Sequence, residues 1–173
     1  DLDLLQGAVE AMRQAALVLL PVCMAKIVLH VLCLTQYGYF RDELYYLASL
    51  NHLDFGYVEH PPFFIYLLAV WRSIAGDSLA AVRILALLAG SAHVIAVGLM
   101  ARFLGGRALA IGLAAAATAL MPILLGTQHM YSMNVIDELF WALTGLALIP
   151  IFRSAEPRNW IILGFLLGLG LMN

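Results

Sequence analysis

LAAVRILALLAGSAHVIAVGLMARF, residues 79–103, is an unbroken apolar run whose only ionisable members are Arg83, His93 and Arg102. As a helix it would be about 38 Å long, and roughly 20 such residues are enough to cross the hydrocarbon of a bilayer. It reads as a membrane span. Working outward, segments 15–36, 107–127 and 135–153 pass the same test, and a fifth apolar segment starts near Asn159 and is still apolar at Asn173. Of 173 residues, 64% are hydrophobic and 12% charged, outside the range of soluble domains. The expected fold class is an all-α polytopic membrane protein. The chain opens on Asp1 and stops inside an apolar segment, so a C-terminal part is expected to follow residue 173. Residues 1–14 carry four charges of mixed sign before an apolar run of spanning length. That pattern suggests a retained signal anchor rather than a cleaved signal peptide.

Lysine and arginine are retained at the cytoplasmic ends of short loops. With residues 1–14 placed inside, Arg13, Arg102, Arg107, Arg153 and Arg158 fall at cytoplasmic ends. Asp42, Glu43, Asp54, Glu59, Asp77, Asp137 and Glu138 then face outward. The expected location is a plasma membrane, bacterial inner membrane by preference, with an acidic external or periplasmic face. A net charge of −2 without a basic cluster gives nucleic acid no footing. Cys23 and Cys33 share one span, about 15 Å apart as a helix, beyond the reach of a disulfide.

The connection after the first span is unlike the others. Residues 37–78 form a long external loop that holds YGYFRDELYYLASLNHLDFGYVEHPP at 37–62. Between Arg41 and Leu50, apolar Leu44, Leu47 and Ala48 recur at helical spacing, while Asp42, Tyr45 and Tyr46 share another face. A short surface helix is expected there. After Pro61-Pro62, residues 63–75 (FFIYLLAVWRSIA) are apolar but too short to span, which predicts a second juxtamembrane helix with Trp71 and Arg72 at headgroup level. Asp77 or Ser78 is expected to cap the next span.

Adjacent carboxylates in the first turn of a helix are stabilised by its dipole whatever their function. The flanks Arg41 and Tyr45-Tyr46 are not needed for that. In sequence order, RDELYYL, GYVEHPP, GDSLAAVRILALLAG and MNVIDELFWAL resemble the polyprenyl-phosphate-dependent membrane glycosyltransferases of the GT-C fold. These are the family thirty-nine protein mannosyltransferases and the related aminoarabinose and galacturonosyl transferases. The resemblance covers nearly the whole chain as the N-terminal part of such an enzyme.

It implies an inverting transfer of a sugar from a polyprenyl-phosphate donor to a glycan, lipid or protein acceptor at the external face. Asp42 corresponds to the family's proposed catalytic base, with Glu43 beside it. Candidate substrate contacts are Arg41, Tyr45, Tyr46, Glu59, His60, Tyr131, Asn134 and Asp137. Arg41, His60 and Arg83 are the nearby groups able to face a phosphate, although Arg72 and Arg83 also suit interfacial anchoring, the reading preferred for both. Family members often carry lysine or glutamine where His60 stands. No cofactor is required by these residues. The aminoarabinose transferases bind a divalent metal through the glutamate matching Glu59, which leaves Glu59 and His60 as candidate ligands without a metal signature in their spacing.

Lys26, His30 and His93 lie inside predicted spans, where a charge costs at least about 2.5 kcal/mol at the bilayer centre. They motivate an alternative from another class, a transporter or flippase for lipid-linked sugars. Against it, the chain shows no internal repeat.

Overall fold

The computed structural model describes residues 2–154 and 156–173 and contains, among these, eight helices and no strand. They are α1 (Leu2–Cys33), α2 (Arg41–Ser49), α3 (Phe63–Ala75), α4 (Leu79–Phe103), α5 (Ala108–Leu120), α6 (Pro122–Thr127), α7 (Met133–Arg153) and α8 (Pro157–Leu171). The segment Val9–Cys33 of α1, together with α4 and α7, is long and apolar enough to cross a membrane, and α3, α5 and α8 are shorter apolar helices. This is an all-α membrane protein.

Helix α4 is the axis of the bundle, in contact with α1, α3, α5 and α7, while α8 packs on α7. Lipid tails are as apolar as leucine, so close helix approach in a membrane relies on small residues. Gly98 of α4 supplies one, because a Cβ there would collide with the side chain of Leu19 on α1. Around that crossing Ala15, Leu19 and Cys23 of α1, Val94 of α4, and Ile111, Ala115 and Ala119 of α5 form one buried cluster.

A second cluster lies toward the N-terminal end of α4. Phe64, Ile65 and Leu68 of α3 are fully buried against Val82, Leu85, Ala86 and Ala89 of α4 and Tyr131, Val135 and Ile136 from the start of α7. Helix α3 is thus a packed layer on the bundle. Trp71 is tied to it, its indole N–H donating to the carbonyl of Ala81 at 2.8 Å, and Arg72 pairs with Asp77.

The apolar run expected as one span at 107–127 is two helices. Proline lacks an N–H and pushes the residue before it out of the α region. Met121, before Pro122, is extended at φ −62°, ψ 123°, and Pro122 opens α6 at its first position. Of the two cap candidates, Ser78 fills the role, accepting from the amide of Ala81 at 3.1 Å. Ser78→Ala should lower stability by about 1 kcal/mol, measured as a shift in thermal unfolding, whereas Asp77→Ala should leave the start of α4 capped.

Candidate active site

The site is assembled around Arg83, which projects from the first turns of α4 and is 1% exposed. Its Nε and Nη2 donate to the two oxygens of Glu43 at 3.2 and 3.0 Å. Nη1 donates to the carbonyls of Leu34 and Tyr37 at 2.8 and 3.2 Å, and Nη2 also to Gly38 at 2.8 Å. All the guanidinium's N–H groups are thereby used, and only a planar fork of five donors can serve so many acceptors at once. Arg83 is therefore no interfacial anchor, the role preferred for it on sequence grounds. It joins α4 to the end of α1, to the connection behind it and to α2.

Glu43 completes the junction. Its carboxylate also accepts from the amide of Phe40 at 2.9 Å, satisfying the N-terminus of α2, and from the amide of Tyr131 at 3.4 Å, just before α7. With its side chain fully shielded, Glu43 is saturated by protein donors.

Asp42 is different. One residue earlier in the same turn, it points away from the junction and keeps 39% of its side chain exposed, paired with the Nε of Arg41 at 3.0 Å. It lines a cavity of about 250 Å³ together with Phe40, Tyr131, Ser132 and Asn134, and with Pro122, Ile123, Gly126 and Thr127 of α6. The cavity thus brings together Asp42, Tyr131 and Asn134 of the sequence candidates. It adds Thr127 and Ser132, which no spacing had singled out because hydroxyls carry no signature in an apolar run. Tyr131 serves as wall: it is 1% exposed, and its hydroxyl donates to the carbonyl of Phe64 at 2.6 Å. Burial drives its phenol pKa well above the usual range.

The remaining candidates lie elsewhere. Tyr45 and Tyr46 share the helix with Asp42 but turn toward His60, with ring centroids at 5.5 and 5.6 Å, in an aromatic nest that includes Tyr57 and Phe64. Burial first, and then the charge of Asp42, raises the pKa of Tyr46. His60 sits buried in that nest, Nδ1 at 3.1 Å from the carbonyl of Pro61 and Nε2 without a partner. Asp137 is exposed and lines a separate recess of about 200 Å³ with Trp141, Thr144 and residues of α8. Glu59 is exposed beside the nest. Among the described residues no group of three or more His, Cys, Asp or Glu converges to hold a metal. His60 is enclosed by rings and Glu59 lies in the open.

Lys26 and His30 are both 3% exposed and meet at 3.1 Å, Nζ to Nε2. The His30 ring lies 5.8 Å from that of His129. Burial, followed by the charge of Arg83, lowers the pKa of His129 against a smaller opposite pull from Glu43.

Residues 59–173 match the model of the dolichyl-phosphate-mannose-protein mannosyltransferase family. No curated protein and no solved structure matches the chain.

Proposed function

Because the chain belongs to the dolichyl-phosphate-mannose-protein mannosyltransferase family, a family of membrane glycosyltransferases, we propose that it moves a sugar from a polyprenyl-phosphate carrier to an acceptor hydroxyl with inversion. The observation that carries the reading is the division of labour between neighbouring carboxylates. Glu43 is consumed by Arg83 and backbone amides, whereas Asp42 is half exposed at a cavity. A general base must reach its proton, and of these two carboxylates Asp42 is the one free to do so.

In this reading the acceptor oxygen bonds to the anomeric carbon as its proton passes to the Asp42 carboxylate. The bond from that carbon to the phosphate oxygen breaks, and the electron pair leaves on the polyprenyl phosphate. A phosphate leaving group needs little protonation, so alignment and proton removal are the protein's main tasks. Attack opposite the phosphate inverts the centre. Asn134 and Ser132, at the cavity wall, would orient the acceptor or sugar. Arg41 is the nearest exposed cation to meet phosphate charge. Tyr45, Tyr46, His60 and Glu59 would shape the approach along the loop, and Asp137 would act from its own recess beside α8. The arginine distribution supports an external or periplasmic face for the site, in a bacterial plasma membrane.

The test uses full-length protein in nanodiscs, radiolabelled polyprenyl-phosphate mannose as donor probe and a cell-envelope extract as acceptor. Labelled product with the anomeric configuration opposite to the donor's is expected. Retention of configuration would overturn the inverting step. Substrate-dependent proton uptake in proteoliposomes, with the lipid-linked sugar moved and no product formed, would favour the carrier reading instead.

A further inference from the structure

Helix α6 poses a physical problem. It is a six-residue helix that supplies Pro122, Ile123, Gly126 and Thr127 to the wall of the cavity that Asp42 lines, yet none of its residues is fully buried. A helix this short has no stability of its own and depends on tertiary contacts. Apolar packing supplies part of them, through the half-buried Leu124 and Leu125. The polar contacts come from Glu138, in the second turn of α7. Its Oε1 accepts from the Thr127 hydroxyl at 2.6 Å and its Oε2 from the Gln128 side-chain amide at 2.7 Å. Gln128 caps α6 and is 0% exposed. The same amide nitrogen lies 2.9 Å from Nδ1 of His93, which carries the link on to α4. An amide nitrogen carries two donors and no acceptor, so its second N–H goes to His93 Nδ1, and a neutral His93 ring then holds its proton on Nε2.

The seat for Gln128 is built into α4. A Cβ at Gly90 would stand 2.6 Å from Gln128 Oε1 and 3.0 Å from its Cβ, so any larger residue would force that side chain to shift. On sequence grounds both carboxylates face outward and Asp137 alone of the pair is a candidate substrate contact. The geometry divides them otherwise, with Asp137 in the recess beside α8 and Glu138 turned inward. Charge-assisted hydrogen bonds to a partly buried carboxylate are among the stronger polar contacts, and two of them converge on one end of α6.

We infer that Glu138 is a positioning residue: through Thr127 and Gln128 it holds α6 against α4 and so sets a wall of the cavity that Asp42 lines. The consequence for transfer rests on the glycosyltransferase mechanism proposed above, but the tether itself does not. Hydrogen exchange on the full-length protein in nanodiscs separates the two. The amides of Leu125 and Gln128 are bonded to the carbonyls of Met121 and Leu124 at 2.9 and 3.0 Å, so the peptide spanning 122–128 reports directly on α6.

In Glu138→Ala, exchange there should accelerate about tenfold while α4 and α8 stay protected, and Glu138→Gln, which still offers a carbonyl oxygen, should restore most of the protection. Unchanged exchange at 122–128 in Glu138→Ala overturns the tether. If Glu138→Ala loosens the whole bundle, Thr127→Val decides. Acceleration confined to α6 supports the tether, and parent-like exchange overturns it. With polyprenyl-phosphate mannose as donor probe, kcat/KM should fall in Glu138→Ala and recover in Glu138→Gln. Loosened α6 with full transfer would retain the tether and refute its role in catalysis.

Discussion

Asp42→Asn should reduce transfer from polyprenyl-phosphate mannose by at least about 100-fold, the lower end of what a positioned general base contributes. The amide keeps the size and shape of the carboxylate at the cavity wall but cannot take a proton from an acceptor hydroxyl. Stability should hardly change. Asp42 is partly exposed, its ion pair is with the still more exposed Arg41, and such pairs contribute about 0–1 kcal/mol. Loss of activity at an unchanged unfolding temperature is therefore the expected signature. A variant that transfers at the parent rate would remove Asp42 from the role of base.

Arg83→Met should act in the opposite way, through the fold. The substitution keeps much of the volume but leaves the Glu43 carboxylate, with no exposed surface, facing the carbonyls of Leu34, Tyr37 and Gly38 without any cation between them. Removing one partner of a buried pair costs about 3–5 kcal/mol, because the survivor's charge is left uncompensated. Thermal unfolding in detergent should show a large drop, and transfer should fall with the amount of folded protein. Combining it with Glu43→Gln should recover part of the loss, since no net charge then remains buried. If Arg83→Met unfolds at the parent temperature, the junction is not what holds α2 to the bundle.

These variants touch residues that the sequence presents unequally. RDELYY marks itself by polarity between apolar stretches, so the helix carrying Asp42 and the presence of chemistry there are legible from composition and spacing. Its neighbour's fate is not. Asp42 and Glu43 are alike as letters, and only the approach of Arg83 from 40 residues away in the chain makes one structural and leaves the other open. Arg83 itself looks like an anchor near a span end, because hydropathy counts an arginine's charge without knowing what lies beside it. The same blindness hides what separates Asp137 from Glu138, since a rotation of about 100° between successive helix residues sends neighbours to different partners. Thr127 and Gln128 carry no signal until the break at Pro122 brings them against α7.

What the sequence determined by itself is the membrane helix content, because burying an apolar segment in lipid is a local property of about 20 consecutive residues. It also determined the likeness to a glycosyltransferase family, carried by runs that survive as contiguous strings. The tertiary structure alone decided which carboxylate meets the cavity, which cation is spent on the fold, and that Glu138 accepts from Thr127 and Gln128 at the end of α6. Those are outcomes of pairing between residues far apart in the chain, and a buried charge takes its role from the partner that neutralises it.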